Sequence, residues 1–238
     1  MNNEQQRVLV VGGSSGIGLG IARAVLARGG RPTLVGRSAE RLEEARRGLD
    51  ETGERVATVV ADATREDDVA RLFAGATFHH VALTAVAPYY AGIRQLDLGG
   101  ARSVIESKLV AALLVAKHAR IEAGGSLLLT SGVAADRPGP GGSVVAAVNG
   151  ALEALVRALS LELAPVRVNA LSPGWVDTPV WDALAGSAKE GRFAAQAQKL
   201  PVGRVGHPDD LARAALFLFD SGFTTGETLH VDGGHRLV

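Results

Sequence analysis

The sequence predicts an α/β fold: one doubly wound parallel sheet with helices on both faces. Short apolar runs alternate with amphipathic runs along the whole chain. The first apolar run, Val8–Val11, leads directly into the glycine- and serine-rich stretch Gly12–Gly20. Strands separated by helices require right-handed crossovers, which produce parallel strands buried on both faces. Because 238 residues suit one such unit, we expect a single domain over residues 1–238.

The first half of the chain predicts four strands and three helices. Short apolar runs place the strands at Arg7–Val11, Thr33–Gly36, Val56–Ala61 and Phe78–Thr84. Amphipathic runs place the helices at Ile17–Arg28, at residues 39–49 and at Arg65–Ala74. Gly29 and Gly30 end the first helix, and Ser38 caps the second.

The second half predicts longer helices and three further strands. The strands are expected at Ser126–Thr130, Val166–Leu171 and Glu227–Val231. The helices are expected at Leu98–Glu122, Val144–Leu163 and Asp209–Phe219. Ligands of parallel sheets bind beyond the carboxyl ends of the strands, so we look for the site there.

Composition excludes several kinds of partner and chemistry. The 25 basic and 25 acidic residues balance, which argues against nucleic acid or a membrane surface as partner. Without cysteine, disulfides and thiol chemistry are excluded. The segment Met1–Arg7 is polar, and no uninterrupted apolar run is judged long enough to span a bilayer. We therefore expect a cytoplasmic protein.

The stretch after the first strand predicts a site for a dinucleotide. Gly12 permits a sharp turn, Gly16 lets a pyrophosphate approach the backbone, and Gly18 lets the helix pack closely on the strand. Backbone N–H groups and the helix dipole favour an anion at this point. The candidate binding residues are Gly12, Ser14, Ser15, Gly16, Ile17 and Gly18. An ordinary glycine turn is the alternative, but the flanking strand and helix favour the dinucleotide site.

The end of the second strand favours NADP(H) over NAD(H). It reads Val35-Gly36-Arg37-Ser38, with no acid to bind a ribose 2′-hydroxyl until Glu40. Arg37 and Ser38 can bind a 2′-phosphate, and Arg41 lies one turn further on. The alternative is that both arginines are simply solvated. Asp62 either accepts from the adenine amino group or caps a helix.

The chain resembles the short-chain dehydrogenase/reductase family over nearly its whole length. The resemblance rests on residues 11–18, Ala61-Asp62, and the stretches 167–178 and 226–234. It implies a single Rossmann-type domain with seven parallel strands. It also implies that Pro173, Gly174, Val176 and Thr178 border the nicotinamide, and that Ala63, Thr84 and Ala85 complete the cofactor site. The resemblance further implies a substrate lid at about residues 179–206, a small-molecule substrate, and a homodimer or homotetramer.

The chain departs from the family where the family carries its chemistry. The family's reaction needs a Tyr acid/base, a Lys four residues later, and a Ser that binds the carbonyl. Those positions fall here on Val145, on Asn149, and on Ser131 or Gly132. Where the family has a structural Asn, the chain has Lys108 or, with another gap, Ser107. We therefore expect a divergent member in which the usual proton relay cannot operate.

Five residues remain as candidates for catalysis: Ser131, Lys108, Tyr89, Tyr90 and Asn149. The two tyrosines are the only phenols in the chain, although both can simply pack against the pocket. Lys108 either replaces the lost cation from another direction or is a surface lysine. Ser131 can bind a carbonyl oxygen, and Asn149 can hold a ribose hydroxyl without charge.

Other side chains near the predicted site have simpler interpretations. Trp175 and Trp181 are expected to cover the nicotinamide pocket. Asp136 and Arg137 either bind a polar substrate or form a solvated turn. The pair His79-His80 is expected at the surface, and we predict no metal site.

Two classes of function follow. The first is an NADP(H)-dependent oxidoreductase with a non-standard site, acting on an activated alkene or iminium, with water, Tyr89 or Tyr90 as the proton source. The second is a non-redox protein on the same scaffold: a silent cofactor-binding partner or sensor, or a lyase, isomerase or cyclase.

Overall fold

The computed structural model describes residues 6–238 and contains one seven-stranded parallel sheet. Its strands are β1 (Arg7–Val11), β2 (Arg31–Gly36), β3 (Ala57–Val60), β4 (Phe78–Leu83), β5 (Ile121–Thr130), β6 (Arg167–Pro173) and β7 (Thr228–Val231). The spatial order is β3-β2-β1-β4-β5-β6-β7, and every neighbouring pair is parallel. The strand order reverses between β1 and β4, so a crevice opens beyond their carboxyl ends. The predicted fold class is confirmed.

Helices cover both faces of the sheet. They are α1 (Gly16–Ala27), α2 (Ala39–Leu49), α3 (Glu66–Phe73), α4 (Leu98–Ile105), α5 (Ala111–His118), α6 (Ser143–Glu162), α7 (Val180–Ala185), α8 (Lys189–Lys199) and α9 (Pro208–Asp220). A π-helical segment, Glu106–Val110, joins α4 to α5. The Ser38 hydroxyl accepts from the Arg41 amide at 3.3 Å, so Ser38 caps α2 as predicted.

The sheet buries an apolar layer on each face, because successive strand residues point to opposite sides. Leu9 and Leu127 face the layer that includes α3, α5 and α6. Val10 and Leu128 face the layer that includes α1 and α9. These two layers fix the strands rigidly, and the loops at their carboxyl ends are therefore held in place.

The predicted long helix over Leu98–Glu122 is shorter than expected. It ends at His118, and the chain enters β5 at Ile121, which lies opposite Phe78 of β4. No glycine or proline marks the end of the helix before Gly124, so the sequence alone did not separate the helix from the strand. The π-helical segment inside it was also not predicted.

The expectation that His79 and His80 lie at the surface is wrong for His80. His80 is 3% exposed because β4 lies in the middle of the sheet. Its Nδ1 lies 2.9 Å from the Ser126 hydroxyl, and its ring stacks on Phe219 with centroids 4.5 Å apart. Burial lowers the pKa of His80 to about 4.

The helix α6 also differs from expectation. By length and composition alone it is apolar enough to cross a membrane, whereas the sequence was judged to hold no such run. In this fold α6 packs against β6 and buries Val148, Leu152 and Val156. A core helix passes the same test, so the feature is weak evidence for a membrane span.

Candidate active site

A cavity of about 1110 Å³ lies beyond the carboxyl ends of the strands, where the strand order reverses. Every residue that the sequence predicted for cofactor binding lines it. Four of the five candidate catalytic residues line it as well, and Tyr89 does not. The cavity is thus lined by the predicted cofactor-binding residues and, at its floor, by the polar side chains of Lys108, Ser131 and Asn149.

The glycine turn has the geometry that a pyrophosphate requires. Gly12 has φ +87°, and a Cβ there would lie 2.7 Å from the Ala85 amide nitrogen. Gly16 has φ +52°, and its missing Cβ would lie 3.1 Å from the Thr178 methyl group. A Cβ on Gly18 would collide with the Gly12 carbonyl oxygen. Glycines are therefore required for the turn to pack closely on neighbouring segments of the protein. The turn and the N-terminus of α1 line the cavity, which fits a phosphate group at this point.

One end of the cavity carries two arginines. Arg37 and Arg41 line it, and the ion pairs within residues 6–238 involve other arginines. Asp62 lines the same end, but its Oδ1 accepts from the Thr64 amide at 2.9 Å and hydroxyl at 2.8 Å. This turn, rather than a helix cap, is what Asp62 forms, because the residue at the N-cap of α3 is Arg65.

Lys108 is buried at the floor of the cavity, on the π-helical segment. Its Nζ donates to the Asn149 side-chain oxygen at 2.5 Å and to the Ser131 carbonyl oxygen at 2.9 Å. Burial lowers the pKa of Lys108 to about 8, and the charge of Glu153 opposes this shift. The interpretation of Lys108 as a surface lysine is therefore wrong.

Ser131 and Asn149 belong to the same polar network. The Ser131 hydroxyl donates to Glu153 Oε1 at 2.8 Å, with the Asn149 carbonyl oxygen 3.2 Å away. The Asn149 amide donates to the Gly132 carbonyl oxygen at 3.1 Å. Because a hydroxyl has one proton, the Ser131 hydroxyl donates to only one of these acceptors at a time, and its contact with a substrate carbonyl stays a prediction. Glu153 was missed, although it follows Asn149 by one helical turn.

The two tyrosines lie in different surroundings. The Tyr89 hydroxyl accepts from the Asp97 amide at 2.6 Å, and its ring packs on Gly100 at the start of α4. Tyr89 thus supports a helix terminus outside the cavity, which argues against a role as the acid. Tyr90 lines the cavity and is 52% exposed, and partial burial raises the pKa of its hydroxyl.

Aromatic side chains line the cavity near residues 179–206, and we call this group the aromatic wall. The rings of Trp175 and Trp181 lie 4.2 Å apart, and Phe193 lies 5.3 Å from Trp181. His235 stands edge-on to Trp175 at 6.3 Å. Phe193 and His235 were missed because neither belongs to a sequence motif. Both tryptophans line the cavity, and residues 179–206 supply α7 and α8 to this wall.

The two charged residues of the loop after β5 have different surroundings. Asp136 pairs with His230 at 2.9 Å, whereas Arg137 lines the cavity. In residues 6–238, no group of three His, Asp or Glu side chains is arranged to hold a metal ion.

Comparison with known proteins shows the family. The family model described as "Enoyl-(Acyl carrier protein) reductase" matches residues 11–236. The chain is 35% identical to a cis-4-hydroxycyclohexanecarboxylate dehydrogenase of Sinomonas cyclohexanicum, covering 98% of each chain. It is 32% identical to the short-chain dehydrogenase/reductase MalC of Malbranchea aurantiaca, covering 98% of this chain and 95% of that one.

Solved structures agree with this relationship. The structure described as MalC reductase/Diels-Alderase superposes with a TM-score of 0.90 at 28% identity, covering 100% of this chain and 99% of that one. A small-chain dehydrogenase in complex with NADPH superposes with a TM-score of 0.85 at 29% identity, covering 98% and 100%. This protein therefore belongs to the short-chain dehydrogenase/reductase family of oxidoreductases, whose members bind nicotinamide cofactors, act on small molecules and often form oligomers.

Proposed function

We propose that this protein is an NADP(H)-dependent reductase with a non-standard proton-delivering site. The observation that carries the proposal is the buried Lys108–Asn149 pair at the floor of a cavity whose predicted cofactor wall is intact. When bound, NADPH supplies the hydride. The side chains of this protein hold the cofactor, position the substrate and balance the charge.

The preference for NADP(H) rests on the arginine end of the cavity. Arg37 and Arg41 face the space next to the glycine turn, with no carboxylate of the described chain in ion-pair contact with either. Guanidinium groups bind phosphate in a bidentate manner, so a 2′-phosphate fits this end better than a 2′-hydroxyl.

Lys108 takes over the charge that the usual relay supplies. At the positions where the family places Tyr and Lys, Val145 carries no proton and Asn149 carries no charge. An ammonium has three N–H donors, and Lys108 uses two of them within the protein. The third donor is available to a ribose hydroxyl or a substrate atom in the cavity.

The substrate we propose is an activated alkene or an iminium, because neither needs a strong acid to accept hydride. Tyr90 is the one phenol of the described chain that lines the cavity, so Tyr90 or water supplies any proton. We also propose that residues 179–206 act as a lid, because α7 and α8 supply Trp181 and Phe193 to the aromatic wall. A cytoplasmic homodimer or homotetramer completes the proposal.

One observation favours a second candidate, a cyclisation on the same scaffold. The superposed MalC structure is described as both a reductase and a Diels-Alderase. A cavity with an aromatic wall and no strong acid suits a reaction in which shape and proximity lower the barrier. A silent cofactor-binding protein is the remaining alternative.

Calorimetric titration with NADPH and with NADH tests the cofactor assignment. Micromolar binding of NADPH with weak binding of NADH supports the proposal. Absorbance of NADPH is then followed with iminium, enone and simple ketone substrates. Oxidation of NADPH by the first two classes only is the expected result. Tight NADPH binding without oxidation by any substrate would favour the non-redox alternatives.

A further inference from the structure

We propose that the substrate carries an oxyanion group, a carboxylate or a phosphate, held between Arg137 and Arg192. This inference rests on the proposed function, because it names the substrate class for the same cavity. Both arginines line the cavity, on segments that are far apart in sequence. Arg137 lies in the loop after β5, and Arg192 lies on α8.

The charge of the cavity first points to an anionic ligand. The whole chain has a formal net charge of zero. In contrast, five basic side chains line the cavity (Arg37, Arg41, Lys108, Arg137 and Arg192), against two acidic ones (Asp62 and Glu106). A cleft lined by one sign of charge concentrates ligands of the opposite sign. The cofactor's 2′-phosphate accounts for Arg37 and Arg41, and the buried network accounts for Lys108, so Arg137 and Arg192 remain.

Both arginines border the aromatic wall. Arg192 precedes Phe193, whose ring lies 6.2 Å from that of Trp175. On the other side of Trp175 stands His235. His235 and Arg137 both line the cavity. Burial lowers the pKa of His235, Asp232 opposes this shift, and the positive charge of Arg137 adds to it. Arg137 and Arg192 thus reach the cavity from two different segments, the loop after β5 and α8.

Three carboxylates near this wall are paired with other groups. Asp136 binds His230 at 2.9 Å, and Lys189 binds Asp177 at 2.8 Å and Asp182 at 2.9 Å. No carboxylate of residues 6–238 forms an ion pair with Arg137 or Arg192, including Glu106, which lines the cavity. Two guanidinium groups without internal partners at a cavity wall are suited to bind an external carboxylate or phosphate.

The aromatic wall indicates the chemistry of the rest of the ligand. Trp175 and Trp181 offer flat apolar surface beside the arginines. A ligand with an apolar or aromatic body and one oxyanion group would use both features. Such a substrate would place its reducible bond toward Lys108 while its anion stays at the loop and α8.

Tryptophan fluorescence offers a direct test, because the only two tryptophans of the chain lie in this wall. Phenylacetate and phenyl phosphate are titrated into the NADP⁺-loaded protein, with phenylacetamide as the neutral probe. The variants are Arg137→Gln, Arg192→Gln and the double variant. Arg120→Gln is the matched control, because Arg120 directly precedes β5, at the amino ends of the strands, and does not line the cavity.

We expect at least one anion to bind about tenfold or more tightly than phenylacetamide, with that preference lost in the double variant and kept in Arg120→Gln. A preference for phenylacetate identifies a carboxylate substrate, and a preference for phenyl phosphate identifies a phosphate ester. Equal binding of the anions and the amide, or anion binding unchanged in the double variant, would overturn the inference. Calorimetry with NADPH and anion titrations of the cofactor-free protein separate the two proposals. Absence of NADPH binding by the wild-type protein counts against the proposed function alone, because the titrations without cofactor still measure the anion selectivity.

Discussion

Lys108 and Asn149 face each other across the floor of the cavity, with the Lys108 Nζ donating to the Asn149 side-chain oxygen at 2.5 Å. The family resemblance implies a lysine at the position of Asn149 and an asparagine at the position of Lys108 or, with another gap, of Ser107. In the first of these alignments, the two residue types have exchanged positions. Because the pair stays in contact, the exchange keeps one positive charge and one amide at the floor and changes the side from which the charge acts.

Replacing Lys108 with Met tests whether that charge serves the reaction. We expect reductive turnover to fall about a hundredfold, because a preorganised donor in a buried site is lost. Activity of the wild-type protein should decline as the pH rises through about 8, where Lys108 loses its proton. The control is Lys117→Met, since Lys117 is exposed and pairs with Glu66. Turnover with the same pH profile in Lys108→Met would exclude a role for the ammonium.

The exchange itself can be reversed. The double variant Lys108→Asn/Asn149→Lys returns each residue type to its family position, and Val145→Tyr adds the missing phenol. We expect the triple variant to gain activity on simple ketones, because a Tyr beside a Lys has a lowered pKa and can donate a proton. Ketone reduction is followed by NADPH absorbance. The double variant alone should remain inactive on ketones, and ketone activity in the wild-type protein would mean that our alignment of α6 is wrong.

The strands and the glycine turn could be predicted because each is encoded locally. Val8–Val11 followed by Gly12, and Arg37 at the end of β2, need no distant partner to be recognised. The polar floor could not be predicted in the same way. The contact between Ser131 and Glu153 joins residues 22 positions apart, and it forms only after α6 packs against the end of β5.

The burial of single polar residues also could not be predicted from the sequence. His80 looks like half of an exposed pair, because nothing near it shows that β4 becomes a central strand. Its partners, Ser126 and Phe219, come from β5 and α9. Tyr89 and Tyr90 are adjacent in sequence, yet only the packing of α4 shows which of them reaches the cavity.

Arg37→Asp tests the cofactor preference. We expect the dissociation constant for NADPH to rise about tenfold to a hundredfold, because a charge-assisted contact with the 2′-phosphate is replaced by repulsion. Binding of NADH should change little. Arg47→Asp, on the helix α2 that follows Arg37, is the control, since Arg47 does not line the cavity. Equal weakening of both nucleotides, measured by calorimetry, would contradict the assignment of Arg37.

Two glycine-to-alanine changes should shift the free energy of unfolding in opposite directions. Gly12→Ala places a methyl group 2.7 Å from the Ala85 nitrogen at a positive φ, so we expect lower stability and loss of nucleotide binding. Gly150 lies inside α6, and a Cβ there meets nothing within 4 Å. Gly150→Ala should therefore raise the free energy of unfolding by about 0.5–1 kcal/mol. Urea unfolding of both variants measures the stabilities, and a destabilised Gly150→Ala would show that this helix face is covered in the assembled protein.

His80 should make stability depend on pH in the acid range. Its pKa falls from 6.5 to about 4 on folding, so between these values the unfolded chain binds the proton and the folded protein does not. The free energy of unfolding therefore includes a contribution of about 3 kcal/mol that is complete above pH 6.5 and is lost as the pH falls toward 4.

We expect His80→Phe to flatten this part of the stability profile, because phenylalanine fills the same stack on Phe219 without titrating. Urea unfolding between pH 7 and pH 4 measures the slope for both proteins. His79→Phe, on the same strand but only partly buried, is the control and should keep the wild-type slope. An unchanged slope in His80→Phe would mean that the carboxylates of the chain alone, and not the buried imidazole, set its sensitivity to acid.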